Sequence, residues 1–219
     1  MHNTLKNFIK IKNEVFDYSN SKNILLPKII AVSKTHSPDN IIPLIDYGHI
    51  HFGENKVQEA LSKWVDIKQK YPKIKLHMLG KIQSNKVKYL FPLFDYVHSL
   101  DSIKVAEMIS KKQLSLNIRP KIFIQINIAN EEQKSCILID EVEEFYRECV
   151  NNLKLDIIGF MCLPPESSDP NYYFNKLNNI SKKYENCKLS IGMSNDFKIA
   201  LKHGSSFLRI GSSIFGKRN

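Results

Sequence analysis

Short apolar segments alternate with amphipathic segments along most of the chain. Eight apolar runs of strand length begin near residues 29, 50, 75, 96, 122, 155, 188 and 207, and each is followed by a turn or by apolar residues at helical spacing. The run over residues 122–128 is nearly continuous in apolar character, which is typical of a parallel strand covered on both faces. The pattern therefore predicts strands that alternate with helices.

Eight strands, each followed by a helix or a turn, describe a (β/α)8 TIM barrel, and a length of 219 residues falls at the short end of the range for that fold. A doubly wound open sheet is the alternative that the strand count leaves open. Residues 1–20 carry apolar side chains at helical spacing, from Leu5 to Phe16, and predict a helix that packs on the domain. We expect one α/β domain over residues 1–219, with this helix as an N-terminal addition.

Capping residues predict where several helices begin and end. Ser37 stands before a proline and fits an N-cap, and Gly48 fits the stop of the same helix. Asn55 is expected to cap the next helix along the chain. Asp140 and Glu143 have the spacing of a capping box at the start of a later helix.

The net charge of +10 raises nucleic acid or an anionic membrane as a partner, because a basic field attracts polyanions. However, the 32 lysines and arginines are spread along the chain, without an arginine-rich run or a basic-aromatic motif. We therefore expect no specific nucleic-acid site. No apolar run is long enough to span a membrane, and lysines interrupt the apolar residues at the N-terminus where a signal peptide needs a continuous run.

The four cysteines, at positions 136, 149, 162 and 187, are far apart in the sequence. They form neither a CxxC redox pair nor a zinc signature. Reduced thiols of this kind are typical of cytosolic proteins. We expect a cytoplasmic protein without a metal site.

Lys34 stands at the end of the first predicted strand, in the segment IIAVSKTHSP over residues 29–38. A lysine in this place is held by a rigid element, and partial desolvation favours the neutral, nucleophilic form of its amine. The segment by itself also describes an ordinary solvated lysine. Its role therefore depends on which residues face it across the barrel.

Glycines and serines follow the seventh and eighth predicted strands, where (β/α)8 barrels commonly bind phosphate. The segments are GMS over residues 192–194 and RIGSS over residues 209–213. Glycines let backbone N–H groups approach an anion, and serine hydroxyls donate to it. A strand-end lysine opposite a phosphate cradle indicates an aldehyde phosphate, and pyridoxal 5'-phosphate is the cofactor that joins a lysine through a Schiff base.

Seven segments resemble, in the same order, the pyridoxal phosphate homeostasis protein family. They are AVSKT at 31–35, FGEN at 52–55, HMLGKIQSNK at 77–86, QINI at 125–128, GFMCLP at 159–164, GMSND at 192–196 and RIGSSIFGKR at 209–218. That family is similar in fold to the barrel of alanine racemase, a fold type III pyridoxal phosphate barrel. The resemblance implies a protein that carries pyridoxal phosphate and acts in the intracellular homeostasis of vitamin B6.

The resemblance also implies which residues hold the cofactor. Lys34 is expected to form the Schiff base, and Arg209 to lie at the phosphate or pyridine end. Ser194, Gly211 and Ser212 are expected to hold the phosphate. The residues expected to surround the cofactor more loosely are Asn55, His77, Gln83, Asn85, Asn127 and Met193. For His77, a structural role in the core remains an equal alternative.

Two other functions stay open on the sequence alone. A pyridoxal-phosphate-dependent racemase uses the same barrel, but it needs a second acid/base group opposite the lysine, which alanine racemase takes from an additional C-terminal domain. This chain ends directly after the eighth strand, so we expect a monomeric carrier rather than an enzyme. A nucleic-acid-binding module rests on net charge alone.

Apo-enzymes that need the cofactor are the expected recipients of a carrier. Lys134, in the loop after the fifth strand, could accept the aldehyde during transfer. A solvated loop lysine is the simpler interpretation of that residue.

Overall fold

The structure, a computed structural model, describes residues 1–131 and 136–216, and its sheet is a closed barrel of eight parallel strands in chain order. The strands are β1 (Lys28–Val32), β2 (His51–Glu54), β3 (Lys75–Met78), β4 (Tyr96–Leu100), β5 (Lys121–Gln125), β6 (Asp156–Met161), β7 (Lys188–Met193) and β8 (Phe207–Ile210). Because β8 pairs with β1, the sheet has no free edge. The predicted (β/α)8 barrel is confirmed, and the open sheet is excluded.

Helices connect most of the successive strands, one further helix precedes β1 and another follows β8. They are α1 (Asn3–Ser21), α2 (Pro38–Asp46), α3 (Val57–Lys70), α4 (Ile103–Leu116), α5 (Val142–Arg147), α6 (Pro170–Ser181), α7 (Phe197–Lys202) and α8 (Ser212–Phe215). A 3₁₀ helix, Ser84–Tyr89, connects β3 to β4, and a π-helical segment, Glu148–Asn152, extends α5. Among the helices described, none is both long and apolar enough to cross a membrane.

Helix α1 is the additional N-terminal helix, and it contacts α2, α7 and α8. Phe8, Ile11 and Val15 are buried along one face of this helix, as its periodicity predicts. Phe16 was expected to face inward as well, but its side chain is 55% exposed. The reason is that successive residues of an α-helix are rotated by about 100° around its axis. Residue 16 therefore projects away from the face that buries Val15.

Two of the predicted helix boundaries are confirmed and two are wrong. Ser37 is the N-cap residue of α2, and Gly48 follows that helix with a φ of +94°. Asn55 does not cap α3, since Lys56 occupies the N-cap position. The capping box predicted for α5 is also wrong, because Glu141 is the N-cap residue.

The interior of the barrel combines apolar and polar side chains. The apolar cluster enclosed by the barrel strands consists of Ile30, Val32, Leu79, Tyr96, Phe123, Met161 and Phe207. Fully or nearly buried polar side chains of His77, His98, Ser190 and Arg209 share this interior. Burial of such groups is tolerated only when they are hydrogen-bonded, so their partners decide what the centre of the barrel does.

Candidate functional site

A cavity of about 580 Å³ opens at the carboxyl ends of β1, β7 and β8. Seven of the residues predicted to hold the cofactor line it together: Lys34, Asn55, Met193, Ser194, Arg209, Gly211 and Ser212. Lys34 is half-buried in the turn after β1, two residues beyond the end of that strand. The cavity therefore has a primary amine near its rim, with serine hydroxyls and a guanidinium in the same wall.

The remaining predicted residues lie elsewhere in the described structure. His77 is buried inside the barrel, and Gln83 and Asn85 are exposed beside and within the 3₁₀ helix. Asn127 closes a turn, because its Nδ2 donates to the carbonyl of Glu131 over 2.9 Å and its Oδ1 accepts the N–H of Glu131 over 3.0 Å. A cofactor contact for these four residues stays a prediction.

Sequence reasoning did not single out the rest of the cavity wall. These additional lining residues are Val32, His36, Leu79, Met161, Leu163, Glu166, Asn195 and Gly216. The alternation of side chains along a strand could have found two of them, since Val32 continues the inward positions of β1 and Leu79 follows His77 by two residues. Met161 is likewise the last residue of β6 and belongs to the interior cluster. The remaining five depend on how the loops fold over the barrel.

Arg209 projects from β8 into the base of the cavity and is only 6% exposed. Its Nη1 donates to the carbonyl and hydroxyl oxygens of Ser190, the hydroxyl at 2.8 Å, and its Nη2 donates to the carbonyl of Cys162 at 3.0 Å. Burial lowers the pKa of Arg209, yet a guanidinium stays protonated in proteins. In the part of the chain that the structure describes, no carboxylate forms an ion pair with it. Its positive charge is therefore available to an anion in the cavity.

Below Arg209, a row of hydrogen-bonded side chains continues through the barrel. Ser190 Oγ lies 2.8 Å from His98 Nδ1, His98 Nε2 lies 2.9 Å from His77 Nδ1, and His77 Nε2 lies 3.0 Å from His51 Nδ1. Burial lowers the pKa of His77 and of His98 well below the ordinary histidine value, and burial lowers the pKa of His51 to about 4. All three imidazoles are therefore neutral at physiological pH.

The loops after β7 and β8 are joined directly to each other. The hydroxyl oxygen of Ser194 accepts the backbone N–H of Ser213 over 3.2 Å. Gly192, near the end of β7, has a φ of +93°, and a Cβ there would lie 2.6 Å from the Cβ of Ala200 on α7, so the position requires glycine. The hydroxyl hydrogen of Ser194 has no acceptor among the described residues, so it can serve a ligand.

Side chains that could bind a metal are dispersed in the part of the chain that the structure describes. Over residues 1–131 and 136–216, no group of three His, Cys, Asp or Glu side chains is arranged to hold a metal ion. The four cysteines form no disulfide with one another, and Cys149 and Cys162 are buried.

The fold and the cavity define a barrel of the alanine racemase type. The model of the alanine racemase N-terminal domain matches residues 17–219. Alanine racemase from Bartonella henselae superposes with a TM-score of 0.70 at 14% identity, over 98% of this chain and 63% of that chain. At this identity the likeness concerns the fold alone.

More similar relatives identify the family. The pyridoxal phosphate homeostasis protein of Aquifex aeolicus is 32% identical over 200 residues, which is 87% of each chain. The protein of the same name from Haemophilus influenzae is 31% identical over 223 residues, covering 97% of this chain and 94% of the relative. This chain belongs to the pyridoxal phosphate homeostasis protein family. PipY from Synechococcus elongatus, in its structure with PLP bound, superposes with a TM-score of 0.78 at 27% identity, over 92% of this chain and 99% of that chain.

Proposed function

We propose that this protein binds pyridoxal 5'-phosphate in the cavity at the barrel mouth, carries it as a Schiff base on Lys34, and acts in the homeostasis of the cofactor. One observation carries the proposal: Lys34 and the buried guanidinium of Arg209 line one cavity of about 580 Å³. That volume is in the range of small-molecule sites, about 300–1,000 Å³. The relatives' names and the PLP-bound PipY structure support the same ligand.

The residues of the cavity suit the charge and shape of the ligand. When bound, the cofactor supplies an aldehyde, which condenses with a primary amine and releases one water molecule. Lys34 supplies the amine. Ser194 and Ser212 supply hydroxyls and Gly211 an unhindered backbone N–H for the phosphate. Arg209 supplies a fixed positive charge from the base of the cavity, where the low dielectric strengthens its attraction for an anion.

Transport of the cofactor is the better supported role, and racemisation is the second candidate. The relatives from Aquifex aeolicus and Haemophilus influenzae carry the name of homeostasis proteins. Two-base racemisation needs an acid/base group opposite Lys34, and the other titratable side chains described in the cavity wall, besides Arg209, are His36 and Glu166. Holoprotein incubated with D- or L-alanine should produce none of the opposite enantiomer, and accumulation of that enantiomer would establish the racemase.

A carrier needs recipients, and apo-enzymes that depend on pyridoxal phosphate are the partners we propose. The carrier would act as a cytoplasmic monomer, without a specific nucleic-acid partner. Cytosolic proteins keep their thiols reduced, and the four cysteines of the described residues form no disulfide, which agrees with a cytoplasmic location. Lys134 lies outside the described residues, and its part in transfer stays a hypothesis. Normal delivery to an apo-enzyme by a Lys134→Ala variant would argue against it.

The test of the proposal is to trap the Schiff base. The apoprotein is mixed with pyridoxal phosphate, reduced with borohydride and digested, and the modified peptide is identified by mass spectrometry. We expect the pyridoxyl group on Lys34 and none in a Lys34→Met variant. A Lys81→Met variant is the control, because Lys81 also follows a barrel strand, β3, but its side chain is 65% exposed and lies outside the cavity wall. An adduct that is absent, or that survives Lys34→Met at equal yield, contradicts the proposal.

A further inference from the structure

We infer that Glu54, Glu59 and Lys63 position the turn that carries Lys34, and that they thereby set the rate at which its amine bonds to the cofactor. The inference rests on the proposed function and deepens it. None of the three residues lines the cavity. They act through the backbone on either side of the reactive lysine, so they are positioning residues.

The network holds both neighbours of the reactive lysine. On one side, the hydroxyl of Ser33 donates to Glu54 Oε1 over 2.7 Å, and the Ser33 carbonyl accepts from Lys63 Nζ over 2.9 Å. On the other side, the backbone N–H of Thr35 donates to Glu59 Oε1 over 2.5 Å. The turn is therefore fixed at two points, one before and one after the residue that must meet the aldehyde.

Thr35 shows why the turn needs to be held. Its φ is +67°, in the left-handed region that β-branched residues rarely adopt because Cβ then crowds the backbone. Such a conformation persists only where surrounding contacts enforce it. The carboxylate of Glu59 supplies that contact through a charge-assisted hydrogen bond, which is stronger than a bond to a neutral acceptor. Without Glu59, the turn can relax and redirect the lysine.

A buried cation connects the two carboxylates. Lys63 Nζ lies 3.0 Å from Glu54 Oε1 and 2.9 Å from Glu59 Oε1, and the side chains of Lys63 and Glu54 are 8% and 0% exposed. Trp64 Nε1 donates to Glu54 over 2.9 Å, which anchors the carboxylate to α3. Although burial raises the pKa of Glu59, hydrogen bonds from Lys63 and Thr35 outweigh it and lower that pKa, so this carboxylate is ionised at neutral pH.

Stability alone does not account for such a network. Buried ion pairs lose so much hydration that they contribute little to stability compared with apolar side chains of the same size. What this network does contribute is geometry, because it ties the turn after β1 to the end of β2 and to α3. Covalent steps are sensitive to that geometry, and a displacement of about 1 Å is enough to slow a reaction about 100-fold.

The test separates bond formation from binding. The rate of Schiff base formation is followed by absorbance after mixing apoprotein with pyridoxal phosphate. Binding alone is measured with pyridoxine 5'-phosphate, which has a hydroxymethyl group in place of the aldehyde and cannot react with an amine. We expect Glu59→Ala to slow bond formation by about 10- to 100-fold and to leave pyridoxine phosphate affinity within about twofold. Glu59→Gln keeps an oxygen acceptor for Thr35 and should lie between Glu59→Ala and wild type.

Two further variants complete the design. Glu107→Ala removes an exposed glutamate from α4 and should change neither quantity. Thr35→Gly should restore part of the rate lost in Glu59→Ala, because glycine adopts a positive φ without strain. A wild-type rate in Glu59→Ala overturns the inference, as does an equal loss of rate and of pyridoxine phosphate affinity. Failure of the wild-type protein to form any Schiff base contradicts the proposed function instead.

Discussion

Arg209 Nη1 donates to Ser190 Oγ over 2.8 Å, and this contact sets the direction of the histidine row beneath the cavity. A guanidinium has only donors, so the serine oxygen must accept. The serine hydrogen then goes to His98 Nδ1, which leaves the proton of that ring on Nε2. The same argument places the proton of His77 on Nε2, donating to His51 Nδ1. The opposite direction would leave the buried serine hydrogen without an acceptor among the described residues.

The first prediction concerns these tautomers. In protein labelled with ¹⁵N-histidine, long-range ¹H–¹⁵N spectra should show His77 and His98 as Nε2–H tautomers. Ser190→Ala removes the link to the guanidinium, so His98 should no longer be restricted to one tautomer. Nδ1–H tautomers at both positions in the wild-type protein would show that Arg209 does not direct the row.

The second prediction concerns stability in acid. Burial lowers the pKa of His51 to about 4 and that of His49 to about 3, from 6.5. At a pH between the folded pKa of such a histidine and its ordinary value of 6.5, the unfolded chain binds more protons than the folded protein. The free energy of unfolding therefore falls as the pH falls below 6.5, and this loss levels off once the pH is below the folded pKa values. Each such histidine contributes a slope of up to about 1.4 kcal/mol per pH unit.

Urea denaturation at a series of pH values between 7 and 5 measures this slope. A His51→Phe variant should show a lower slope, with the difference approaching about 1.4 kcal/mol per pH unit toward pH 5, because one titrating group is gone. The slope is the readout, since the absolute stability of the variant also reflects the lost hydrogen bond to His77. Equal stability of the wild-type protein at pH 7 and pH 5 would show that the buried imidazoles do not resist protonation.

The third prediction tests the phosphate end of the cavity. Ser194→Ala removes one hydroxyl donor, and a hydrogen bond to a charged group contributes about 1.5–3 kcal/mol, so pyridoxal phosphate affinity should fall about 10-fold or more. Unphosphorylated pyridoxal serves as the matched ligand, and its affinity should not change. An equal loss for both ligands would mean that the loop as a whole was disturbed and that Ser194 does not contact the phosphate.

The fourth prediction concerns the short distance between the backbones of β6 and β7. A Cβ added to Gly159 on β6 would lie 1.9 Å from the carbonyl oxygen of Lys188 on β7. Backbone atoms cannot move aside as a flexible side chain can, so Gly159→Ala should destabilise the barrel by about 3 kcal/mol or more in chemical denaturation. Gly211→Ala is the comparison, because its Cβ would meet the nearest atom at an ordinary 3.5 Å, and it should fold with stability near wild type. Equal stability of both variants would contradict the argument.

The sequence by itself determined the order of the elements and the position of the mouth. Strand and helix periods are local properties, and they predicted strands that begin near residues 96 and 207, where β4 and β8 do begin. Because parallel strands in a barrel place their carboxyl ends on one face, the strand-end positions of Lys34 and Ser194 were enough to predict that they line the same cavity. The segments that resemble the family then indicated pyridoxal phosphate as the ligand.

Only the tertiary structure decided how the site is supported. Ser190 and His98 are 92 residues apart in sequence, and they meet because closure of the barrel brings β4 and β7 to the same interior layer. Ser33 and Glu54 are likewise 21 residues apart. A local sequence pattern predicts which face of a strand or helix a side chain lies on, but not which distant residue it contacts there. Hydrogen-bond partners depend on strand register and on loop folding, and those are fixed only when the whole barrel closes.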